Sequence, residues 1–179
     1  MVCNRCISAV QTIFEESGEA LSSIQLGEVE TQKTLSEKDF EKLEARLKSS
    51  GFEILKDLSK KQIEKIKSLI IQKIAEEDIP ENFILSEFLK SQMHKDYSAI
   101  SKLFSQNENV TLEQYFILQK IEKVKELLIY QEFTLTEISQ KLGYKSVQHL
   151  SSQFRKITGF SPTQFLKSKN RKRIELDKV

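Results

Sequence analysis

The strongest constraint on how this chain can fold is an internal repeat. Residues 85–104, LSEFLKSQMHKDYSAISKLF, align without gaps on residues 135–154, LTEISQKLGYKSVQHLSSQF, at an offset of 50. Five of the twenty positions are identical: Leu85 with Leu135, Glu87 with Glu137, Lys95 with Lys145, Ser101 with Ser151 and Phe104 with Phe154. Ser86 with Thr136, Phe88 with Ile138 and Ile100 with Leu150 are conservative pairs, and the register runs on through Asn109 with Gly159, Thr111 with Ser161, Gln114 with Gln164 and Tyr115 with Phe165. The matches fall on positions with structural jobs.

Each copy spells helix, short turn, helix, and then a capped third helix. In the second copy Thr134 and Glu137 form a T-x-x-E capping box for a helix ending at Leu142, and Gly143 supplies the positive φ at its end. Ser146 caps the next helix, whose buried stripe is Leu150, Phe154 and Ile157 and whose stop is Gly159. Ser161, Pro162 and Gln164 then give an N-cap, a first-turn proline and a box-forming glutamine. The first copy repeats the plan with Thr111 and Gln114 as its box and with Asn109, the second-best residue for the left-handed conformation, in place of the glycine stop. Between the copies, residues 114–128 carry Phe116 or Ile117, Ile121, Val124, Leu127 and Leu128, which predicts a long amphipathic helix able to touch both units. Upstream, Ile63, Ile66, Ile70 and Ile74 mark a helix over residues 60–77 that should cover the first unit's core, ended by the stretch from Asp78 to Asn82.

Five glycines and two prolines suit a mostly helical, soluble chain with few strands. The most apolar stretch, residues 63–74, is interrupted by Lys65, Lys67 and Lys73 and falls short of the roughly 18 apolar residues a membrane span needs. Met1 is not followed by charged, apolar and cleavage regions in order, so a cytoplasmic location is the default. The net charge of +2 hides an asymmetry. Residues 1–59 carry seven Lys/Arg against eleven Asp/Glu, a net of −4, whereas residues 134–173 carry nine against one, a net of +8. A basic end joined to an acidic one suits a module that docks on a polyanion while the other half faces something else.

Residues 135–167, LTEISQKLGYKSVQHLSSQFRKITGFSPTQFLK, resemble the second helix-turn-helix of the AraC-type transcription regulators, through Gly143-Tyr144, Ser146, Phe154 and the Thr158-Gly159 to Pro162 ending. The resemblance covers about 110 residues, from 60 to 169. It implies an all-helical domain of two helix-turn-helix units joined by a long helix, which binds double-stranded DNA through two recognition helices in successive major grooves, ~34 Å apart. In this sequence the matching base-facing positions of the second unit are Val147, Gln148 and Ser152, with His149 beside them. Those of the first are Ser98, Ser101 and Lys102, with Tyr97 near the helix start. The side-chain chemistry agrees: Gln148 can pair bidentately with adenine and Val147 can touch a thymine methyl, while Lys145, Arg155 and Lys156 suit phosphates, which give affinity without sequence information. The chain departs from the family at Asn109, where glycine is usual, and at Lys120-Ile121-Glu122-Lys123-Val124, where an Arg-led stretch is common. The second unit is therefore expected to carry most of the affinity, with the first adding register and selectivity.

The first 58 residues read differently. Cys3-Asn4-Arg5-Cys6 opens a helix with Ile7, Val10, Ile13 and Phe14 on one side. Leu21, Ile24, Leu26 and Val29 then alternate partly, in the manner of a strand. Residues 36–50 place Phe40, Leu43 and Leu47 at helical spacing before Gly51, and residues 52–55 read as a final strand. This α/β unit resembles a heavy-metal-associated, ferredoxin-like domain, whose M-x-C-x-x-C loop is matched by Met1, Cys3 and Cys6. Its first strand is lacking and its middle hairpin is one strand short, so it either borrows a strand from a second copy, as a homodimer, or is truncated at its start. Two thiolates at this spacing offer a digonal site to a soft ion such as Cu(I), or half of a tetrahedral Zn(II) site completed by another molecule. A helix N-terminus also lowers a thiol's pKa, which favours redox chemistry as well as metal binding. His94 and His149 are too few and too separated to complete a site, and His94 falls in an exposed turn.

The sequence thus predicts a mostly α protein: a small truncated ferredoxin-like α/β unit over 1–58, a double helix-turn-helix domain over 60–170, and a basic, polar tail over 171–179. No phosphate-cradling glycine loop, no nucleophile with a spaced base and no paired carboxylate flanked by apolar sequence is present, so no enzymatic activity is expected. Two readings compete with a sequence-specific, metal-responsive DNA-binding regulator. One is a metal-transfer or thiol-redox protein using Cys3 and Cys6, and the other is a helical interaction protein that has lost DNA binding.

Overall fold

A computed structural model describes residues 1–167. The expected tail over 171–179, and Lys169 at the end of the expected helix-turn-helix region, lie outside the described residues. Along the chain the elements are α1 (Asn4–Glu16), β1 (Leu21–Gln25), β2 (Glu28–Thr31), α2 (Glu37–Ser49), α3 (Leu58–Ala75), α4 (Leu85–Met93), α5 (Tyr97–Asn107), α6 (Leu112–Tyr130), α7 (Leu135–Lys141), α8 (Val147–Thr158) and α9 (Pro162–Lys167). The chain divides into two compact units, Met1–Ser68 and Leu69–Val179, with α3 running across the division. Its isoleucines Ile63, Ile66, Ile70 and Ile74, at spacings of three and four, are all buried.

In the first unit, Val10, Ile13 and Phe14 of α1 meet Leu43 and Leu47 of α2, and Leu21, Ile24, Val29, Phe52 and Ile54 pack around them. Two expectations change here. The alternation from Leu21 onward is a hairpin rather than one strand: Ile24 pairs with Val29 and Gln25 with Glu28, and Leu26-Gly27 makes the two-residue turn between them. An apolar residue in the turn carries the alternation through it and hides the reversal. Residues 52–55 do not form a strand. Phe52 N–H donates to the Leu47 carbonyl at 2.8 Å and Gly51 N–H to that of Lys48 at 3.1 Å, which closes α2 in a Schellman motif. Phe52 and Ile54 then contribute side chains to the core without joining the two-stranded sheet. The unit is therefore two helices on a hairpin.

The second unit contains the repeat as real duplication. Helices α4, α5 and the start of α6 recur as α7, α8 and α9. Ile100 and Leu150 are buried in equivalent places, as are Phe104 and Phe154. Phe104 meets Tyr115 at 5.4 Å between ring centroids, and Phe154 meets Phe165 at 5.6 Å, so one aromatic pair has been kept in both copies. The capping boxes form at Thr111 with Gln114 and at Thr134 with Glu137, Ser146 accepts from His149 N–H, and Ser161 exchanges hydrogen bonds with Gln164.

The helix stops diverge. Gly159 ends α8 at φ +80°, but Asn109 is not left-handed: α5 ends at Asn107, Glu108 continues in extended backbone at φ −112°, and the Asn107 amide folds back onto the Leu103 carbonyl at 2.8 Å. Ile157, expected in the buried stripe of α8, is 40% exposed, because Leu150 and Phe154 already fill the face toward α9.

Gly143 does more than end α7. Ile79 N–H donates to the Lys141 carbonyl at 2.9 Å, and Ile79 bridges Leu142 in parallel, so the connection before the first helix-turn-helix lies against the turn of the second. A Cβ on Gly143 would lie 2.8 Å from the carbonyl oxygens of both Ile79 and Pro80, on a backbone already at φ +65°. At Gly159 the equivalent space is open. Gly159→Ala is expected to cost about 1–2 kcal/mol, the penalty for a side chain at positive φ. Gly143→Ala adds a backbone clash and should cost about 3 kcal/mol or more. Urea denaturation of the two variants checks this order; equal losses would contradict it.

Candidate nucleic-acid interface

The second helix-turn-helix presents its candidate residues on one accessible surface. Lys145 precedes α8; Gln148, His149, Ser152, Arg155 and Lys156 are exposed along it, and Val147 is half-buried at its first position. Spacings of three and four put Gln148, Ser152 and Arg155 on one stripe of the helix. In α5 the equivalent positions are Tyr97 and Ser98, with Lys102 where α8 has Ser152; Ser98 and Lys102 are exposed, and Ser101 is half-buried like its counterpart Ser151. Among the described residues no ion pair engages Lys102, Lys145, Arg155 or Lys156, so these cations face solvent uncommitted. Tyr97 is different. Its hydroxyl donates to Glu113 in the first turn of α6. Burial, then that hydrogen bond and the carboxylate charge, raise the phenol's pKa, while the Tyr97 bond holds Glu113 low. The residue anchors the start of α5.

Three residues that the sequence did not assign to the site organise this surface. Glu77, at φ +54° beyond α3, accepts ion pairs from Lys123 of α6 at 2.9 Å and Lys141 of α7 at 3.4 Å. Tyr144, between α7 and α8, is buried and donates its hydroxyl to Gln153 Oε1 at 2.9 Å. Lys120 of α6 is only 7% exposed, with Nζ 3.8 Å from the Tyr144 ring centroid and 5.5 Å from that of Phe116. A clue to Lys120 was present in its spacing, since it falls four residues after Phe116 and four before Val124, on an otherwise apolar stripe.

In the first unit, Cys3 and Cys6 lie one helical turn apart with sulfurs at 3.7 Å, both half-buried. Burial acts to raise the Cys6 thiol pKa, but hydrogen bonding to the backbone of Val2 and to Cys3 outweighs it and leaves the thiol low. Among the described residues no group of three or more His, Cys, Asp or Glu is arranged to hold a metal ion. The pair therefore offers two soft donors, enough for a digonal ion but only half of a tetrahedral set.

Residues 90–168 match the family described as "Helix-turn-helix domain". The match spans most of both repeats, from within α4 past α9. The chain is 25% identical over 105 residues to the "Probable transcriptional regulator LumQ" of Photobacterium leiognathi, covering 59% of this chain and 42% of that protein. It is 32% identical over 68 residues to the "Xylose operon regulatory protein" of Escherichia coli K12, covering 38% of this chain and 17% of that protein. The chain thus spans less than half the length of either relative. Over 64% of its length the fold is similar to that of the C-terminal domain of AraT, a response regulator from Geobacillus stearothermophilus, at a TM-score of 0.52 with 19% identity and 88% of that chain covered. A DNA-binding transcriptional dual regulator from Escherichia coli K-12 superimposes at 0.50, with 18% identity over 59% and 89% of the two chains. Among the described residues, no helix is long and apolar enough to cross a membrane.

Burial brings the Lys120 ammonium down to about 8, well below the ordinary lysine value of 10.5, while the electron-rich face of Tyr144 opposes its loss of charge. Between about pH 8 and 10.5 the unfolded chain therefore binds one more proton at this position, and stability rises with pH through that window. At pH 7 the buried charge costs stability. Lys120→Met is expected to raise the unfolding free energy at pH 7 by about 1–3 kcal/mol and to shrink the gain between pH 7.5 and 9.5. Denaturant titrations of both proteins across that range measure it; a pH dependence identical in the two would refute the assignment.

Proposed function

We propose that this protein is an AraC-type, sequence-specific DNA-binding transcription regulator that places α5 and α8 in successive major grooves. The observation that carries the reading is the exposed polar and basic face of α8, set on a duplicated helix-turn-helix framework and free of intramolecular ion pairs among the described residues. The names of the relatives support it. In this reading Gln148, Val147, His149 and Ser152 meet base edges, and Lys145, Arg155 and Lys156 meet phosphates. Ser98, Ser101 and Lys102 form a weaker counterpart on α5, and Tyr97 supports that helix through Glu113 instead of reading DNA with its hydroxyl.

Selection of bound sequences from a random double-stranded pool at about 150 mM salt tests this, because purely electrostatic binding is weak there. The expected product is a motif of two half-sites about 10 base pairs apart. Gln148→Ala should cost about 1–3 kcal/mol and relax one base position, whereas Arg155→Ala should weaken all sequences alike and lower the salt slope by about one. Failure to select any motif would overturn the reading.

A second component is favoured by the 3.7 Å approach of the Cys3 and Cys6 sulfurs and the lowered Cys6 thiol. We infer that this pair binds one soft ion, Cu(I) or Zn(II), and makes the regulator responsive to it. Near one equivalent per chain is expected to bind, and Cys3→Ser to abolish binding; unchanged stoichiometry in that variant, read by metal titration, rules the site out.

A further inference from the structure

The helix proposed to read DNA in the second helix-turn-helix carries an exposed side chain that is not free to wander. His149, the third residue of α8, sets its imidazole in a T-shaped contact with the Tyr144 ring, with ring centroids 5.4 Å apart and planes at 78°. Tyr144 cannot yield, because three elements hold it. Its backbone N–H donates to the Ser139 carbonyl of α7 at 2.8 Å, its hydroxyl donates to Gln153 of α8 at 2.9 Å, and its face receives the buried Lys120 of α6 at 3.8 Å. Gln153 follows His149 by four residues, so the two stand one turn apart on the same face, and Tyr144 clamps both.

Nothing of this kind exists in the first helix-turn-helix. The positions equivalent to Tyr144 and His149 are His94, exposed at the end of α4, and Ala99, which has no group to hold. The two copies share their packing core, so the clamp is an addition to the fold and not a requirement of it.

We propose that Lys120 and Tyr144 are positioning residues for sequence readout: they fix the imidazole of His149, and with it the N-terminal half of α8, in one pose relative to the linking helix. This rests on the DNA-binding function proposed above. A neutral imidazole offers one N–H donor and one acceptor nitrogen, and the donor suits the N7 and O6 acceptors on the major-groove edge of a purine. A ring already held in place loses little conformational freedom on binding, so more of its contact energy appears as discrimination between bases. Lys120 touches no nucleic acid in this arrangement. It acts through Tyr144.

The test compares selection profiles and salt slopes for the parent chain, His149→Ala, Tyr144→Phe and Lys120→Met at about 150 mM salt. Tyr144→Phe keeps the ring and removes the bond to Gln153, and Lys120→Met keeps the bulk and removes the charge; circular dichroism on heating checks that both remain folded. His149→Ala should flatten the preference at one base position. Tyr144→Phe and Lys120→Met should flatten that same position about 3- to 10-fold while positions read by other side chains change less than about 2-fold and the salt slope stays unchanged. The proposal is overturned if both variants return the parent's profile, or if they lose affinity equally at every position, as a purely structural role would produce. A parent that selects no motif would instead refute the DNA-binding reading itself, before any variant is compared.

Discussion

The second unit depends on the burial of α6 around most of its circumference. Leu112, Tyr115, Ile121, Val124, Leu127 and Leu128 are buried, but so are Gln119, Lys120, Glu122 and Lys125. A helix can be enclosed this way only if each polar group brought out of water is answered. Gln119 donates to the Tyr115 hydroxyl, Lys125 pairs with Glu122 one turn away, and Lys123 reaches both Glu126 and Glu77. Lys120 is answered by aromatic faces instead of a carboxylate. Because α5, α7, α8 and α9 all pack on this helix, its polar bookkeeping is also what sets the placement of both helix-turn-helix units.

Duplication explains the framework, and divergence explains the candidate site. Both copies keep a phenylalanine of the second helix against an aromatic residue of the third, a contact worth about 0.5–1.5 kcal/mol beyond the area it buries. What differs lies at the turns and on the surface. The second turn is tied to Ile79 and Pro80 and carries the Tyr144 clamp, while the first ends at a left-handed His94 and presents serines with a single lysine. Two copies with one core and unequal surfaces can divide labour between affinity and register without changing how they pack.

The first unit is built from its own core of Val10, Ile13, Phe14, Leu43 and Leu47. The thiol pair stands at the N-cap and in the first turn of α1, whose later turns supply three of those five residues, so the sulfurs are presented from a packed helix and not from a loose segment. The hairpin alone would be marginal; two helices on its apolar side chains make it a unit.

Much of this was legible in the residues because it is decided locally. Capping boxes at Thr111 and Thr134, the glycine stop of α8, the period of the isoleucines in α3 and the repeat itself each involve groups within a turn or two of one another, and their free energies hardly depend on distant chain. Periodicity gave the buried stripe of α8, whereas its candidate base-facing positions came from the family resemblance. Tertiary structure alone decided the rest. Residues 52–55 gave up a strand because the closing turn of α2 and the core used them first, and Tyr97 turned its hydroxyl to Glu113. Lys120 was buried because Tyr144 arrived over it from 24 positions away. Gly143 met Ile79 and Pro80 from more than 60. Local preference names the element and its ends, but which charge is buried, and which glycine is irreplaceable, depends on what other segment comes to lie against it.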